Sequence, residues 1–350
     1  MTTSSGECAN DAAAGAACVL PPTDPAEAIT VFVHLDGVTR KVEAVDPAWL
    51  AAGSGAIVWT DLGNADRDAT RRVLADTFHF HELSIEDAVS ESHHPKVEPY
   101  DGYLYLILHG IDFNATQQGG FSTHDIDFFI GPNYLVTVHD GTSRSIASVQ
   151  GICPRNGFVL GSGPMTLVHR IVDTMVDNYR PEVNQLEERL DAVEDAVFTA
   201  NNEAVVRQIL ALKRDVGSLR RVVTPQRDVV GRLARREFAT IDEALSYKFR
   251  DVHDHLVRLA DEASTFHDRI TGVLDAHLSF VSNKMNEVMK VLTLIATIFM
   301  PLTVLTGLYG MNVRLPYMPG GDTAQFWEIV VMMLVISGGM IWVFRKRGWV

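Results

Sequence analysis

The residues of this chain best suited to chemistry are Tyr309-Gly310-Met311-Asn312, which stand near the end of a stretch, Val291 to Val313, without Asp, Glu, Lys, Arg or His. The Asn312 amide with the carbonyls of the Gly310 turn would offer neutral donors and acceptors, able to hold an ion through its water without trapping it. Gly310 suits such a place because backbone can approach closely there or adopt positive φ. N-terminal to it, Asn286, Met289, Leu292, Met300 and Thr303 fall on one broad face of a helix. Methionines at such spacing serve packing and lipid contact equally well. No phosphate loop, nucleophile elbow or metal-hydrolase spacing is present, which argues against an enzyme. Cys8, Cys18 and Cys153 are too widely spaced for a zinc module, and His93-His94 reads as an exposed loop pair.

Positioning these residues requires a membrane. Val291 to Val313 spans the roughly 30 Å of hydrocarbon as a helix, and Ile329 to Phe344 does so with Phe326, Trp327 and Trp349 as interfacial anchors. The predicted spans are about 291–312 and 326–345, with an extracellular loop of about 313–325. Lys284 and Lys290 precede the first span and Arg345, Lys346 and Arg347 follow the second, whereas the loop holds only Arg314, so both termini are expected in the cytoplasm. The net charge of −14 lies in the remaining, soluble part. It favours cations over nucleic acid as partners, and solubility alone would also account for it.

Residues 1–26 carry no signal-peptide pattern and are expected to be a disordered arm. Residues 27–163 read as an α/β domain with strands at 29–35, 57–62, 103–111, 124–130 and 134–138, a hairpin turn at Gly131-Pro132-Asn133, and helical patterns at 65–78 and 84–89. Residues 164–290 read as a helical stalk. Apolar residues alternate spacings of three and four from Val183 to Val197, from Val205 to Val223, and from Leu245 to Val273, the last series running without a break into the first span. A rod from Thr240 to Tyr309 would be on the order of 100 Å long and needs partners. Its seam could bundle identical copies around an axis or serve a helical hairpin within one chain.

Gly310-Met311-Asn312 at the outer end of the first of two C-terminal spans, followed by the tail Arg345-Lys346-Arg347-Gly348-Trp349, resembles the signature of the CorA family of magnesium transporters. Weaker similarity starts near residue 27 and includes Ser84-Ile85-Glu86-Asp87, Pro95-Lys96-Val97-Glu98 and Phe249-Arg250-Asp251-Val252. The resemblance implies a homopentameric funnel in the lipid of the cell membrane. Its expected activity is passive influx of hydrated divalent cations, chiefly Mg²⁺, with Co²⁺ and Ni²⁺ as further candidates. Gly310, Met311 and Asn312 would form the selectivity filter, Met289, Leu292 and Met300 an apolar constriction that gates by dewetting, and Asp275 a carboxylate ring in the vestibule. Asn286 and Thr303 would line the path. Asp87 and Asp251, with Glu86 and Asp173, would hold regulatory Mg²⁺ between subunits, whose loss at low internal Mg²⁺ frees them to move. This chain departs from the family after Met318-Pro319, where Gly320 replaces an acid and only Asp322 and Glu328 follow. Two rival readings are a zinc transporter of the same fold and a membrane-anchored coiled-coil scaffold that conducts nothing.

Overall fold

The computed structural model describes residues 29–51, 53–63, 65–90, 94–113, 121–141, 143–197, 203–311 and 321–349. The expected N-terminal arm, His93, and the segment carrying Asn312 lie outside them. The chain divides into two compact units, one within Met1–Glu187 and Arg214–Phe266, the other within Glu188–Lys213 and His267–Val350.

The first unit is built on a seven-stranded sheet: β1 (Ile29–Leu35), β2 (Val38–Val42), β3 (Ile57–Gly63), β4 (Lys96–Tyr100), β5 (Tyr103–Phe113), β6 (Phe121–Ile130) and β7 (Tyr134–His139). The order is β2-β1-β3-β7-β6-β5-β4, antiparallel except where β3 pairs with β7. Burial explains why the central strands are nearly continuous apolar runs. Side chains alternate across a strand, and here both faces are covered. Leu62, Tyr105, Ile107, Phe129 and Val136 on one face pack with Leu74, Phe78, Phe80 and Ile85. Leu74 comes from the π-helical turn Val73–Thr77 that continues α2 (Arg67–Arg72), Ile85 from α3 (Glu82–Val89), and Phe78 and Phe80 from the link between them. On the opposite face Trp59 Nε1 donates to Thr137, and Asp61 accepts from Gln150 Nε2 at 2.7 Å. Gln150 belongs to α4 (Arg144–Ile152), which is followed by α5 (Phe158–Gly161); the small helix α1 (Pro47–Leu50) precedes β3. The expected turn at Gly131 is present, its amide donating to Tyr134 O at 2.9 Å as β6 turns into β7.

Gly163, at φ 101°, starts α6 (Pro164–Asp177), so the predicted change to helix falls where a residue without Cβ and a proline at the first helical position coincide. Beyond it lie α7 (Tyr179–Ala196), α8 (Glu203–Ala234), α9 (Glu243–Tyr309) and α10 (Gly321–Lys346). The 67 residues of α9 extend for about 100 Å. Every apolar residue of the three predicted seams, from Val183 to Val197, Val205 to Val223 and Leu245 to Val273, is buried within the single chain. The seam is therefore used up internally; apart from Tyr247, the large apolar side chains that α9 leaves exposed lie beyond it, from Leu278, Met285 and Val288 onward.

In the second unit α10 ends in a cap that its sequence specifies. Trp349 N donates to Phe344 O at 2.9 Å and Gly348 N to Arg345 O at 3.1 Å. Gly348 sits at φ 68°, and the Phe344 and Trp349 rings stack at 6.0 Å. This is the Schellman arrangement, in which a residue with positive φ lets the chain reverse and an apolar pair closes over the turn.

Candidate functional site

The candidate residues of α9 are grouped by the side of the helix they occupy. Leu294, Thr297, Ile298, Pro301, Leu302 and Leu305 are half-buried, spaced by three and four. Several of them line a groove of about 640 Å³ together with Ile336 and Met340 of α10. At about 100° per residue, Asn286, Met289, Leu292, Met300 and Thr303 centre roughly 150° away from that stripe. All five are exposed, Met300 at 72% even though it borders the groove. Asp275 is also exposed, on the part of α9 before the span. Two helices here, α9 and Phe326–Lys346 of α10, are long and apolar enough to cross a membrane, and their apolar windows are unburied.

Hydroxyls on α9 are satisfied in the way a membrane demands. Thr293, Thr297, Thr303 and Thr306 each donate to the carbonyl four residues earlier, Thr303 to Phe299 O at 2.8 Å. With its proton spent inside the helix, the Thr303 oxygen keeps lone pairs that can accept from a water molecule. Pro301 lies inside α9 without ending it. At the outer end Gly310 N donates to Thr306 O at 2.8 Å, and a Cβ at this position would lie 3.0 Å from the same carbonyl. Gly310 is not in the positive-φ region, so that expected use of the glycine is absent. Met311 is exposed, and Asn312 lies outside the described residues.

The four candidate carboxylates lie in the first unit, in two pairs by origin. Glu86 and Asp87 share α3, Glu86 exposed and Asp87 half-buried; Asp173 on α6 is half-buried and Asp251 on α9 exposed. His169 packs edge-on against Phe249 at 5.2 Å. That contact holds together the stretches of α6 and α9 that carry Asp173 and Asp251. Their fields overlap at Asp177, whose pKa is raised first by burial and then by Asp173 and Asp251. Asp177 is a member of this acidic group that sequence reasoning missed, although it stands one helical turn after Asp173.

Asp87 is engaged by a residue that sequence reasoning did not single out. Lys96 Nζ lies 2.5 Å from Asp87 Oδ2 and 3.1 Å from Glu98 Oε2. Lys96 and Glu98 are two apart on β4 and so share a face of the sheet, a signal present in Pro95-Lys96-Val97-Glu98. Burial disfavours the Lys96 ammonium, but its bonds to Asp87 and Glu98 outweigh that and raise its pKa. Among the described residues no three or more His, Cys, Asp or Glu side chains converge into a metal cage within one chain.

With this geometry in view, comparison with known proteins is informative. The model of the family described as CorA-like Mg²⁺ transporter protein matches residues 54–346. The cobalt/magnesium transport protein CorA of Thermotoga maritima is 30% identical over 313 residues, covering 89% of this chain and 88% of its own. The zinc transport protein ZntB of Pectobacterium carotovorum is 27% identical over 321 residues, covering 89% of this chain and 91% of its own. Among solved structures, the CorA magnesium transporter of Methanocaldococcus jannaschii superposes with a TM-score of 0.79 at 22% identity, covering 92% of this chain and 98% of that one, which shows a common fold. An α/β domain, a long helix and two C-terminal apolar helices are common ground between the sequence expectation, the structure and these relatives, and the chain belongs to the family of CorA-like Mg²⁺ transporter proteins, membrane proteins that transport divalent cations.

Proposed function

We propose that the chain assembles as a homopentamer in the cell membrane, with both termini in the cytoplasm, and conducts hydrated divalent cations inward, chiefly Mg²⁺ and also Co²⁺ and Ni²⁺. The observation that carries this reading is the uncovered face of α9. One continuous helix presents Asn286, Met289, Leu292, Met300 and Thr303, all exposed, along one broad face, of which only Met300 borders the groove against α10. Five such faces around an axis make a path whose lining matches the cargo. Mg²⁺ sheds its water reluctantly, so a path that bonds to the hydration shell avoids the largest barrier. The outward protons of that shell need acceptors, which Asn amide oxygens and back-bonded threonine hydroxyls supply. Met289, Leu292 and Met300 offer none, and a ring of them drawn close to the axis expels water and stops the ion.

Asp87, Asp251, Glu86 and Asp173 are proposed to hold Mg²⁺ between neighbouring subunits. Hard carboxylate oxygens suit this ion, and Asp173 and Asp251 already act on one point from two helices. Bound Mg²⁺ supplies positive charge that offsets the repulsion among these acids, favouring the closed arrangement. Zinc transport by the same architecture is the competing outcome, and Met311 between Gly310 and Asn312 favours magnesium by family resemblance.

Flux into proteoliposomes containing the purified chain tests the proposal, with Mg²⁺, Co²⁺, Ni²⁺ and Zn²⁺ in turn and with and without a pH gradient. Uptake of Mg²⁺ is expected, and Asn312→Ala should reduce it by at least tenfold, the loss of one polar ring in a desolvated passage. Undiminished flux through Asn312→Ala would remove the filter assignment, and flux confined to Zn²⁺ would favour the rival.

A further inference from the structure

Lys96 stands on an edge strand, with Val97 buried behind it and Lys96, Glu98 and Tyr100 turned to the same face. Its ammonium lies between two carboxylates on different elements, 2.5 Å from Asp87 on α3 and 3.1 Å from Glu98 on its own strand. Below it is the Tyr105 ring, 5.5 Å from Nζ to the centroid. Tyr100 donates to Glu98 Oε2 at 3.3 Å, which holds that carboxylate in place. Lys96 is thus already shared, with one partner on the element carrying the proposed cation ligand and a second partner fixed beside it.

We infer that Lys96 is the resident counter-ion of Asp87, and that a divalent cation binds at Asp87 by displacing this ammonium onto Glu98. The inference rests on the reading of Asp87 as a regulatory ligand and adds what sets the affinity there. A carboxylate already bonded to an ammonium presents little net charge to an arriving dication, so each binding event includes the work of separating the pair. Glu98 lowers that work by keeping the ammonium paired after it leaves. The arrangement weakens the site and moves its half-saturation toward higher Mg²⁺, which suits a sensor that has to release its ion when the internal concentration falls.

The test is a Mg²⁺ titration of the thermal unfolding temperature of the purified full chain in detergent, which reads cation binding without reading transport. Lys96→Gln should move the half-maximal Mg²⁺ concentration down on the order of tenfold, and Glu98→Gln, which leaves the ammonium with Asp87 alone, should move it up about threefold. The double variant Lys96→Gln with Glu98→Gln should behave as Lys96→Gln alone, because Glu98 acts through the lysine. A return of the double variant to the wild-type midpoint would mark a general charge effect and overturn the displacement. If Lys96→Gln does not fold, Glu98→Gln alone decides, and an unchanged or lower midpoint overturns the inference. Asp87→Asn separates the two levels. A shift there with none in Lys96→Gln sinks only the role of the lysine, whereas no shift in Asp87→Asn sinks the ligand reading as well.

Discussion

Asp127 shows how one buried carboxyl ties stability to pH in this fold. Burial raises its pKa to about 7, with the carboxylates of Asp125 and Asp87 adding to the shift, while the Tyr105 hydroxyl, which donates to it at 2.5 Å, and His109 oppose it. An unfolded chain releases that proton near 3.8. Between those values the folded state holds a proton that the unfolded state has lost, so stability falls as pH rises from about 4 to about 7. Asp127→Asn keeps the acceptor oxygen and removes the charge. It is expected to raise the unfolding temperature at pH 8 by several degrees and to give no gain at pH 4; equal effects at both values would show that the charge is not responsible. Nothing in the sequence announced this group, because an aspartate in an alternating strand reads as exposed until the second layer is placed over it. The same holds for Lys96, whose partner on α3 is nine residues away in the chain and 2.5 Å away in space. Asp87 and Asp251 were legible only through likeness to a family, since an isolated acid carries no signal of its own.

The long helices and the central strands were legible, whereas the edges of the sheet and the short helices α1, α4 and α5 were not. The strands expected at 29–35, 57–62, 103–111, 124–130 and 134–138 are all present, whereas β2 and β4, the two strands at the ends of the sheet order, gave no apolar run. β2 carries Thr39, Arg40 and Lys41 and β4 contains Pro99, features tolerated where one side of the ladder faces outward. On α9 the proposed gate leads to a direct test. Met300→Gly removes the most exposed apolar side chain of the candidate path, and proteoliposomes holding it should leak Mg²⁺ at the high internal Mg²⁺ proposed to close the wild type. A tight pore would place the constriction elsewhere. For α10, Gly348→Ala should lower stability by ~1 kcal/mol because a Cβ is strained at φ 68°. An unchanged unfolding temperature in detergent would mean that the cap contributes nothing.

At the scale of the whole molecule, the apolar surface of α9 beyond Leu278 is exposed in the single chain, and the proposed pentamer in lipid would cover it. Native mass measurement of the detergent-purified protein should give five subunits, and a monomer would end the pore proposal. Neutralising both Asp87 and Asp251 with Asn should leave Mg²⁺ currents running at the internal Mg²⁺ proposed to close the wild type; retained inhibition would remove the sensor. The sequence by itself determined the two apolar spans, the helical change at Gly163, the buried seams and the central strands, because length without charge, residues lacking Cβ and apolar periodicity act locally along the chain. Tertiary structure alone decided what those patterns meet. It buried the stalk seam inside one chain, where the sequence left room for an interface between copies, and it left the candidate path residues exposed in the single chain. It also brought Asp87 to Lys96 and Asp173 toward Asp251. The reason is that a periodic pattern states only that a face needs a partner, while the identity of that partner depends on how distant segments pack.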